Sequence, residues 1–192
     1  MALQFSGATV ALREVVLRSK PDEMLSASPK GTVPVLVLPD GQVIDESLDI
    51  MYWALEQNDP ADLLNSTNPC DRVIALCDSE FKGWLDRYKY ADRHPERSQQ
   101  EYRAEAERFL ATLEDALSVS EWLGDKAPAL TDVAVFPFIR QFAGVDPTWW
   151  EQAPYPAVRS WLERWLATPQ FAAVMKKYPV WEAAADATYF PE

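Results

Sequence analysis

The sequence predicts a small α/β domain followed by an all-helical domain, on the basis of three observations. Before about residue 60, short apolar runs of strand length alternate with turns and helical pieces. Residues 58–69 are polar and contain two prolines, and every apolar stretch beyond them repeats with a helical period. The chain has 192 residues, of which 48% are hydrophobic and 12% aromatic, so it can bury a proper core. We therefore expect two domains, over 1–58 and 69–192.

The first domain is predicted to contain an antiparallel hairpin followed by a helix. The helix begins at Ser47, where apolar residues start to recur at i, i+3, i+4 and i+7. Two apolar runs on either side of a tight Pro-Asp-Gly turn are typical of a β-hairpin. The predicted strands are 9–17, 33–38 and 42–45, with a helical piece at 22–26 and the hairpin turn at 39–41.

The second domain is predicted to be a bundle of about five helices, four of which carry an apolar stripe. The helix over 133–142 is apolar on nearly all sides, which marks a central, buried helix. The last helix is expected to begin at Thr168-Pro169, with Thr as its cap and Pro at its first position. The other stripes are Val73, Cys77, Phe81, Trp84 and Tyr88; Tyr102, Ala106, Leu110, Leu113 and Leu117; Val158, Trp161, Leu162 and Trp165; and Phe171, Val174, Met175 and Tyr178.

Charge and composition exclude several classes of function. The net charge of −12 disfavours binding to nucleic acid or to anionic lipid. Cys70 and Cys77 lie roughly 10 Å apart along a helix, too far for a disulfide, which indicates a reducing, cytoplasmic location. Neither a signal peptide nor a membrane-spanning stretch is visible. His94 is the single histidine and no Cys/His cluster exists, so a protein-bound zinc site is not expected.

The segment 28–36, which reads SPKGTVPVL, is the most informative part of the sequence. Pro34 stands at the start of an apolar strand, where it cannot donate a ladder hydrogen bond and is often cis. Such a bend would leave the N–H and C=O of Val33 free to pair with an extended peptide ligand. The other interpretation is an ordinary edge-strand proline, which Val-Pro taken alone would favour.

The segment 45–50, which reads DESLDI, opens the helix after the hairpin. Ser47 is a good helix cap, and first-turn N–H groups bind carboxylates well. Glu46 could take an ammonium group, so the pair would fit the end of a ligand that carries both charges of an amino acid. A plain cap with an acidic neighbour explains the same residues, and spacing alone does not separate the two interpretations.

The string SPKGTVPVLVLPDGQVIDESLDI resembles the N-terminal domain of glutathione transferases, which has a thioredoxin-like fold. The string LTDVAVFPFIRQFA resembles the central helix of the helical domain in the same family, and bacterial members of the cysteine-type or omega-like branch look closest. The resemblance implies a thioredoxin-like domain followed by an all-helical C-terminal domain, with glutathione as co-substrate. It also implies that the second substrate is a small hydrophobic molecule or a disulfide, and that the protein is a homodimer. The reaction would be either the conjugation of glutathione to an electrophile or the reduction of a mixed disulfide.

The resemblance also implies roles for particular residues. Val33, with Pro34 cis, would hold the cysteinyl backbone of glutathione, and Glu46 and Ser47 would hold its γ-glutamyl end. Lys20 matches the position of a lysine that contacts the glycyl carboxylate in omega-like members, although a solvated loop lysine is the alternative. Lys30 is a weaker candidate for the same contact.

The sequence departs from the family at its beginning. Residues 1–7 look like the C-terminal half of the first helix, so the first strand and the catalytic turn are absent from this sequence, and the catalytic residue is unknown. The natural protein could be longer, the shortened domain could be repaired by dimerisation or rearrangement, or thiol chemistry could have been given up. Cys70 and Cys77 are expected in the core rather than at a catalytic position. A non-catalytic binding or interaction module is therefore the alternative function.

A second departure concerns the start of the central helix. The family places Ser or Thr three residues before Asp132, whereas this chain has Ala129 there. Thr131 could shift the cap by two residues, and Pro137 should bend the helix. The aromatic residues that could line a substrate pocket are more often core at this spacing. They are Phe81, Trp84, Tyr88 and Phe138.

Overall fold

A computed structural model describes residues 1–65, 70–183 and 185–191. Its contacts divide the chain into two compact units, which we call the first and the second unit. The first unit combines Met1–Ala61 with Pro169–Glu192, and the second unit is Asp62–Thr168. The chain thus leaves the first unit near residue 60, where the sequence predicts a linker, and returns to it after Thr168.

The first unit contains the predicted hairpin and helix together with two elements from the end of the chain. The helix α3 packs against α1 and buries Ile50, Ala54 and Leu55. The strands are shorter than predicted, because only two or three residues of each one pair with a neighbour. The elements are α1 (Ala2–Ser6), β1 (Val10–Leu12), α2 (Asp22–Ala27), β2 (Leu36–Val37), β3 (Val43–Ile44), α3 (Ser47–Gln57), α10 (Pro169–Val174) and β4 (Thr188–Phe190).

The strand β1 pairs antiparallel with β4, with Val10 opposite Phe190. This pairing corrects the prediction that everything after the linker is helical: α10 ends at Val174, before Met175 and Tyr178, and the chain then returns as a strand. A strand of three residues carries too short an alternation to stand out in a sequence, and its partner lies almost the whole chain away.

Two further contacts hold the C-terminal segment against the residues that follow β1, and a third lies within the segment itself. The N–H of Trp181 donates to the carbonyl oxygen of Glu14 at 2.8 Å. The Arg13 guanidinium lies 4.5 Å from the centre of the Trp181 ring. The rings of Tyr178 and Phe190 meet edge to face at 6.4 Å. The segment is therefore anchored by side chains as well as by the short ladder.

Phe190 and Tyr189 provide a matched test of this anchoring. Phe190→Ala removes a half-buried ring, so the free energy of unfolding should fall by about 2 kcal/mol. Tyr189 is 56% exposed, and Tyr189→Ala should change it by less than about 0.5 kcal/mol. Urea unfolding followed by circular dichroism measures both changes, and equal effects of the two variants would contradict the packing described for β4.

The second unit is a helical bundle in which a π-helical turn joins the first two helices without a break. The stripes predicted for α6 and α9 are confirmed, since every residue named for them is buried. The helices are α4 (Cys70–Leu76), α5 (Lys82–Lys89), α6 (Gln99–Leu117), α7 (Leu130–Ala143), α8 (Pro147–Gln152) and α9 (Pro156–Leu166), with the π-helical turn at Cys77–Phe81 and a 3-10 turn at Ala91–Arg93.

Side-chain caps fix where three of these helices begin. Ser98 and Glu101 form a reciprocal capping box at the start of α6. Asp146 accepts the N–H of Trp149 in α8 at 3.0 Å. Glu114, which lies on α6, accepts the first free N–H groups of α9 at 2.9 and 3.0 Å. The carboxylate of one helix therefore serves as the cap of another and fixes their packing.

The core of the second unit forms around α7, which has nine buried residues and is the central helix that the sequence predicts. The ring of Phe142 lies 5.1 Å from that of Tyr88 and 5.9 Å from that of Phe81. Phe81 and Tyr88 are each 1% exposed, so they are core residues. Trp84 and Phe138 are only half-buried.

The carboxylate of Asp132 is fully buried and accepts four N–H groups at the start of α7. One oxygen accepts from the N–H of Leu123 at 2.9 Å and from the indole of Trp161 at 2.7 Å. The other accepts from the N–H of Ala129 at 2.9 Å and of Gly124 at 3.1 Å. Burial raises the pKa of Asp132, and the four donors act against that shift.

The suggestion that Thr131 caps α7 is wrong. The helix begins at Leu130 with Ala129 as its cap residue, and Thr131 lies inside the first turn with a buried hydroxyl that has no hydrogen-bond partner among the described residues. The side chain of Asp132 reaches back instead, and it bonds both the cap residue and the preceding loop.

Asp132→Ala should lower the free energy of unfolding by about 3 kcal/mol, because buried N–H donors would lose their acceptor. Asp132→Asn keeps the shape of the side chain, but its NH2 group would face two of the N–H donors that the carboxylate now accepts. This variant should therefore also lower the free energy of unfolding. Asp115 is an exposed carboxylate on α6, and Asp115→Ala is the matched control with an expected change within about 0.5 kcal/mol. Thermal and urea unfolding measure all three, and a neutral Asp132→Ala would contradict this account.

Two features are absent from the described ranges. Within them, every helix is too short or too polar to span a bilayer. Within the same ranges, no three His, Cys, Asp or Glu side chains come together as a metal ion would require.

Candidate functional site

The hairpin brings the two predicted parts of the site, residues 28–34 before β2 and residues 45–47 after β3, to the same edge of the sheet. Leu36 lies opposite Ile44, and Val37 lies opposite Val43. Because the strands are antiparallel, the residues before β2 approach the residues after β3. Val33 and Pro34 therefore lie at the end of the hairpin where Glu46 and Ser47 begin α3.

Val33 is well placed to meet a ligand. Its peptide bond to Pro34 is cis, in agreement with the sequence prediction. Val33 is 46% exposed, and its backbone groups make no hydrogen bond with any described residue. One donor and one acceptor are therefore available side by side at the surface of the first unit.

The start of α3 differs in detail from the prediction. The cap residue is Glu46 rather than Ser47, which is the first residue of the helix, and the side chain of Glu46 makes no capping hydrogen bond. Both residues are exposed. Because the first N–H groups of a helix have no partner within it, those of α3 remain open to a carboxylate.

Lys30 lies in the middle of the site and holds an ion pair with Glu46. Its ammonium is also 3.7 Å from a carboxylate oxygen of Asp45. The hydrogen bond to Glu46 raises the pKa of Lys30. The sequence also offers Lys30 as a partner for a ligand carboxylate, but in the structure Lys30 contacts the two carboxylates that a ligand ammonium would approach.

Two residues of the site were missed by sequence reasoning. The other carboxylate oxygen of Asp45 accepts a hydrogen bond from the hydroxyl of Ser28 at 2.7 Å, and Ser28 is buried. This bond ties the loop before β2 to the loop after β3. Asp45 could have been found as the neighbour of Glu46, but nothing in the spacing of Ser28 signals the contact.

Lys20 lies on the loop before α2, outside the hairpin that carries the other predicted site residues. Its side chain is half-buried. It directly follows a turn that is closed by a 2.8 Å hydrogen bond from the N–H of Ser19 to the carbonyl oxygen of Val16. No hydrogen bond or ion pair between described residues links it to Val33, Glu46 or Ser47. Its role therefore stays a prediction.

Cys77 is a free thiol in the core of the second unit, and it is 1% exposed. Burial raises the pKa of Cys77 to about 12. A thiol that stays protonated at neutral pH and does not reach solvent is not a nucleophile. The expectation that Cys77 belongs to the core is confirmed, whereas the side chain of Cys70 lies outside the described residues.

The raised pKa of Cys77 predicts that it resists alkylation while the protein is folded. In the Cys70→Ser variant, Cys77 is the one remaining thiol. Iodoacetamide at pH 8 should leave it unmodified in the native protein and modify it fully in guanidinium chloride, where its pKa returns to the ordinary range. Mass spectrometry reads out both reactions, and rapid labelling of the native variant would contradict the burial described here.

These groups suit a ligand with an amino-acid end and a peptide backbone. The carboxylates of Asp45 and Glu46 can take an ammonium group, and the first N–H groups of α3 can take a carboxylate. Val33 can add two backbone hydrogen bonds to an extended chain.

Comparisons with known proteins give the same family throughout. Residues 1–62 match a family model described as the glutathione S-transferase N-terminal domain, and residues 82–164 match one described as the C-terminal domain. The chain is 26% identical over 155 residues to glutathione S-transferase GstA of Escherichia coli O157:H7, covering 73% of this chain and 74% of that one. The chain belongs to the glutathione transferase family.

Solved structures agree with this fold. The bacterial glutathione transferase BphK, solved as a ternary complex, has a TM-score of 0.74 and 20% identity over 89% of this chain and 88% of its own. A family member from Pseudomonas fluorescens Pf-5, solved with two glutathione bound, has a TM-score of 0.72 and 21% identity over 89% and 83%. The thioredoxin-like first domain and the helical second domain are therefore as predicted.

Proposed function

We propose that the first unit binds glutathione, with the γ-glutamyl end at the start of α3 and the cysteinyl backbone along Val33. The γ-glutamyl ammonium lies against Glu46 and Asp45, and the γ-glutamyl carboxylate meets the first N–H groups of α3 beside Ser47. Val33, preceding Pro34, pairs with the backbone of the cysteinyl residue. Lys20 remains the proposed partner of the glycyl carboxylate.

The register of the hairpin is the observation that carries this proposal. The ladder pairs Leu36 with Ile44 and Val37 with Val43, so Val33, three residues before β2, and Ser47, three residues after β3, follow from the same end of the hairpin. A γ-glutamylcysteine unit has its two charges at one end and its amide backbone at the other, which suits the start of α3 and Val33 respectively. The glutathione bound to the Pseudomonas fluorescens relative supports the same choice of ligand.

The proposed reaction uses the thiol of glutathione as the nucleophile, after its proton has been lost to solvent. With a small hydrophobic halide, a sulfur–carbon bond forms as the carbon–halogen bond breaks, and the halide leaves with the bonding electrons. With a mixed disulfide that contains glutathione, the thiolate attacks the glutathione sulfur, and the other sulfur leaves as a thiolate. As in the sequence prediction, we propose that the protein acts as a cytoplasmic homodimer.

A second candidate function is a glutathione-binding module without catalysis, and Cys77 favours it. Activation of a thiol needs a nearby group that stabilises the thiolate. Cys77 cannot serve, because it is buried and its pKa is about 12. Glutathione binding with no turnover of either substrate class would support this module, and turnover of a chlorinated aromatic or of a mixed disulfide would support the transferase.

The proposed site predicts the effect of removing one negative charge. Glu46→Gln should weaken glutathione binding by about fivefold or more, because an ion pair to the ligand ammonium is lost. Glu56→Gln removes an exposed carboxylate near the other end of α3 and should leave the affinity unchanged. Isothermal titration calorimetry with glutathione measures both.

Lys30→Met should change the affinity for glutathione in the opposite direction, measured by the same titration. The ligand ammonium must displace Lys30 from Glu46, so removing Lys30 should tighten glutathione binding by about two- to fivefold. N-acetylated glutathione has no ammonium and should bind the wild type, Glu46→Gln and Lys30→Met about equally. Unchanged affinity in Glu46→Gln and in Ser47→Ala would show that these residues only begin a helix.

A further inference from the structure

The end of the chain packs along the loop that follows β1. This loop, residues 13–20, runs from β1 to α2, and we call it the β1–α2 loop. The C-terminal segment, described over 178–183 and 185–190, ends in β4, which pairs with β1 directly before the loop. At the loop itself, the N–H of Trp181 donates to the carbonyl oxygen of Glu14 at 2.8 Å.

The β1–α2 loop is not held in place by burial. None of its residues is buried, and the apolar side chains of Val16 and Leu17 are 46% and 59% exposed. Beyond the ladder of β1 and β4, the hydrogen bonds between described residues tie the loop to other parts of the chain only through Glu14, at its bridge with Val180. A loop with so few fixed contacts opens easily unless a neighbour holds it, and here that neighbour is the C-terminal segment.

The anchored residue lies close to Lys20 along the chain. One residue separates Glu14 from the turn that begins at Val16, and the N–H of Ser19 closes this turn on the carbonyl oxygen of Val16 at 2.8 Å. Lys20 follows the turn directly, and the helix α2 beyond it has no buried residue. Because consecutive Cα atoms lie about 3.8 Å apart, the position of Glu14 limits where the turn and Lys20 can lie.

The β1–α2 loop is basic within a strongly acidic chain. Three of its residues are basic and one is acidic, whereas the whole chain carries a net charge of −12. The Arg13 guanidinium lies 4.5 Å from the centre of the Trp181 ring, so it is engaged with the C-terminal segment. Arg18 and Lys20 make no ion pair with any described carboxylate, which leaves them available to a ligand carboxylate.

We propose that the C-terminal segment positions Lys20 for the glycyl carboxylate of glutathione, with Trp181 as the positioning residue. The inference rests on the proposed function, because it concerns the same ligand. Trp181 does not contact the ligand in this arrangement and acts through Glu14 and the turn that follows it. The end of the chain therefore controls the affinity for the glycyl part of glutathione, whereas the hairpin and α3 hold the γ-glutamyl part.

Glutathione and γ-glutamylcysteine, which lacks the glycyl residue, separate this effect from the rest of the site. In calorimetric titrations of the full chain, Trp181→Pro removes the ring and the N–H donor and should weaken glutathione binding about fivefold. Trp181→Ala removes only the ring and should weaken it about twofold. Both variants should bind γ-glutamylcysteine as tightly as the wild type does, because the hairpin is unchanged.

A double-mutant cycle tests whether Trp181 acts through Lys20. Lys20→Met should weaken glutathione binding about fivefold, and Trp181→Pro should add little to that loss in the double variant. Additive losses would overturn the proposal, since they would mean that the two residues act independently. Tyr189→Ala is the matched control from the same segment, because Tyr189 is 56% exposed, and it should bind both ligands as the wild type does.

The remaining outcomes distinguish this inference from the proposed function. Unchanged glutathione affinity in Trp181→Pro, or equal weakening of both ligands, would overturn the inference. Equal affinity of the wild type for the two ligands would overturn it as well and would leave the γ-glutamyl site in place. A wild type that binds neither ligand would overturn the proposed function and this inference with it. Circular dichroism verifies that each variant is folded, and Trp181→Ala gives the comparison if the proline prevents folding.

Discussion

The second unit depends on one buried carboxylate, that of Asp132. Its four hydrogen bonds join three parts of the chain: the loop at Leu123 and Gly124, the start of α7, and Trp161 in the middle of α9. Removing a carboxylate from water is costly unless its lone pairs are filled. The charge is tolerated only when all three parts are in place, so it selects one packing of the bundle.

This constraint extends to the loop before α7. A Cβ at Gly124 would lie 2.6 Å from the carbonyl oxygen of Ala127 and 2.6 Å from the Cβ of Ala129. Only glycine allows the loop to come close enough for its N–H to reach Asp132. Ala129 has no hydroxyl to accept an N–H of the first turn, but its own N–H donates to Asp132, which is the other half of a capping box. The same carboxylate thus joins the start of α7 to the preceding loop.

The site of the first unit depends on strand pairing and on hydrogen bonds more than on burial. Most of its side chains are exposed or half-buried, and Ser28 is buried. The hairpin register and the bond between Ser28 and Asp45 hold the two loops together. Lys30 neutralises only one of the two negative charges of Asp45 and Glu46, and a ligand with its own ammonium competes with Lys30 for these carboxylates. Ligand binding there exchanges one ion pair for another, which favours selectivity over high affinity.

The sequence by itself determined the family, the order of elements, the apolar stripes of α6 and α9, and the central position of α7. These features depend on periodicity and on a local motif, and both are visible within a few turns of chain. The residues Val33, Pro34, Glu46 and Ser47 could be proposed for the same reason, since a hairpin and its following helix are contiguous. The tertiary structure alone decided the pairing of β1 with β4, the ion pair between Lys30 and Glu46, and the fourfold bonding of Asp132. Each of these contacts joins residues that are far apart in the sequence. A local sequence pattern cannot show which distant residues will meet.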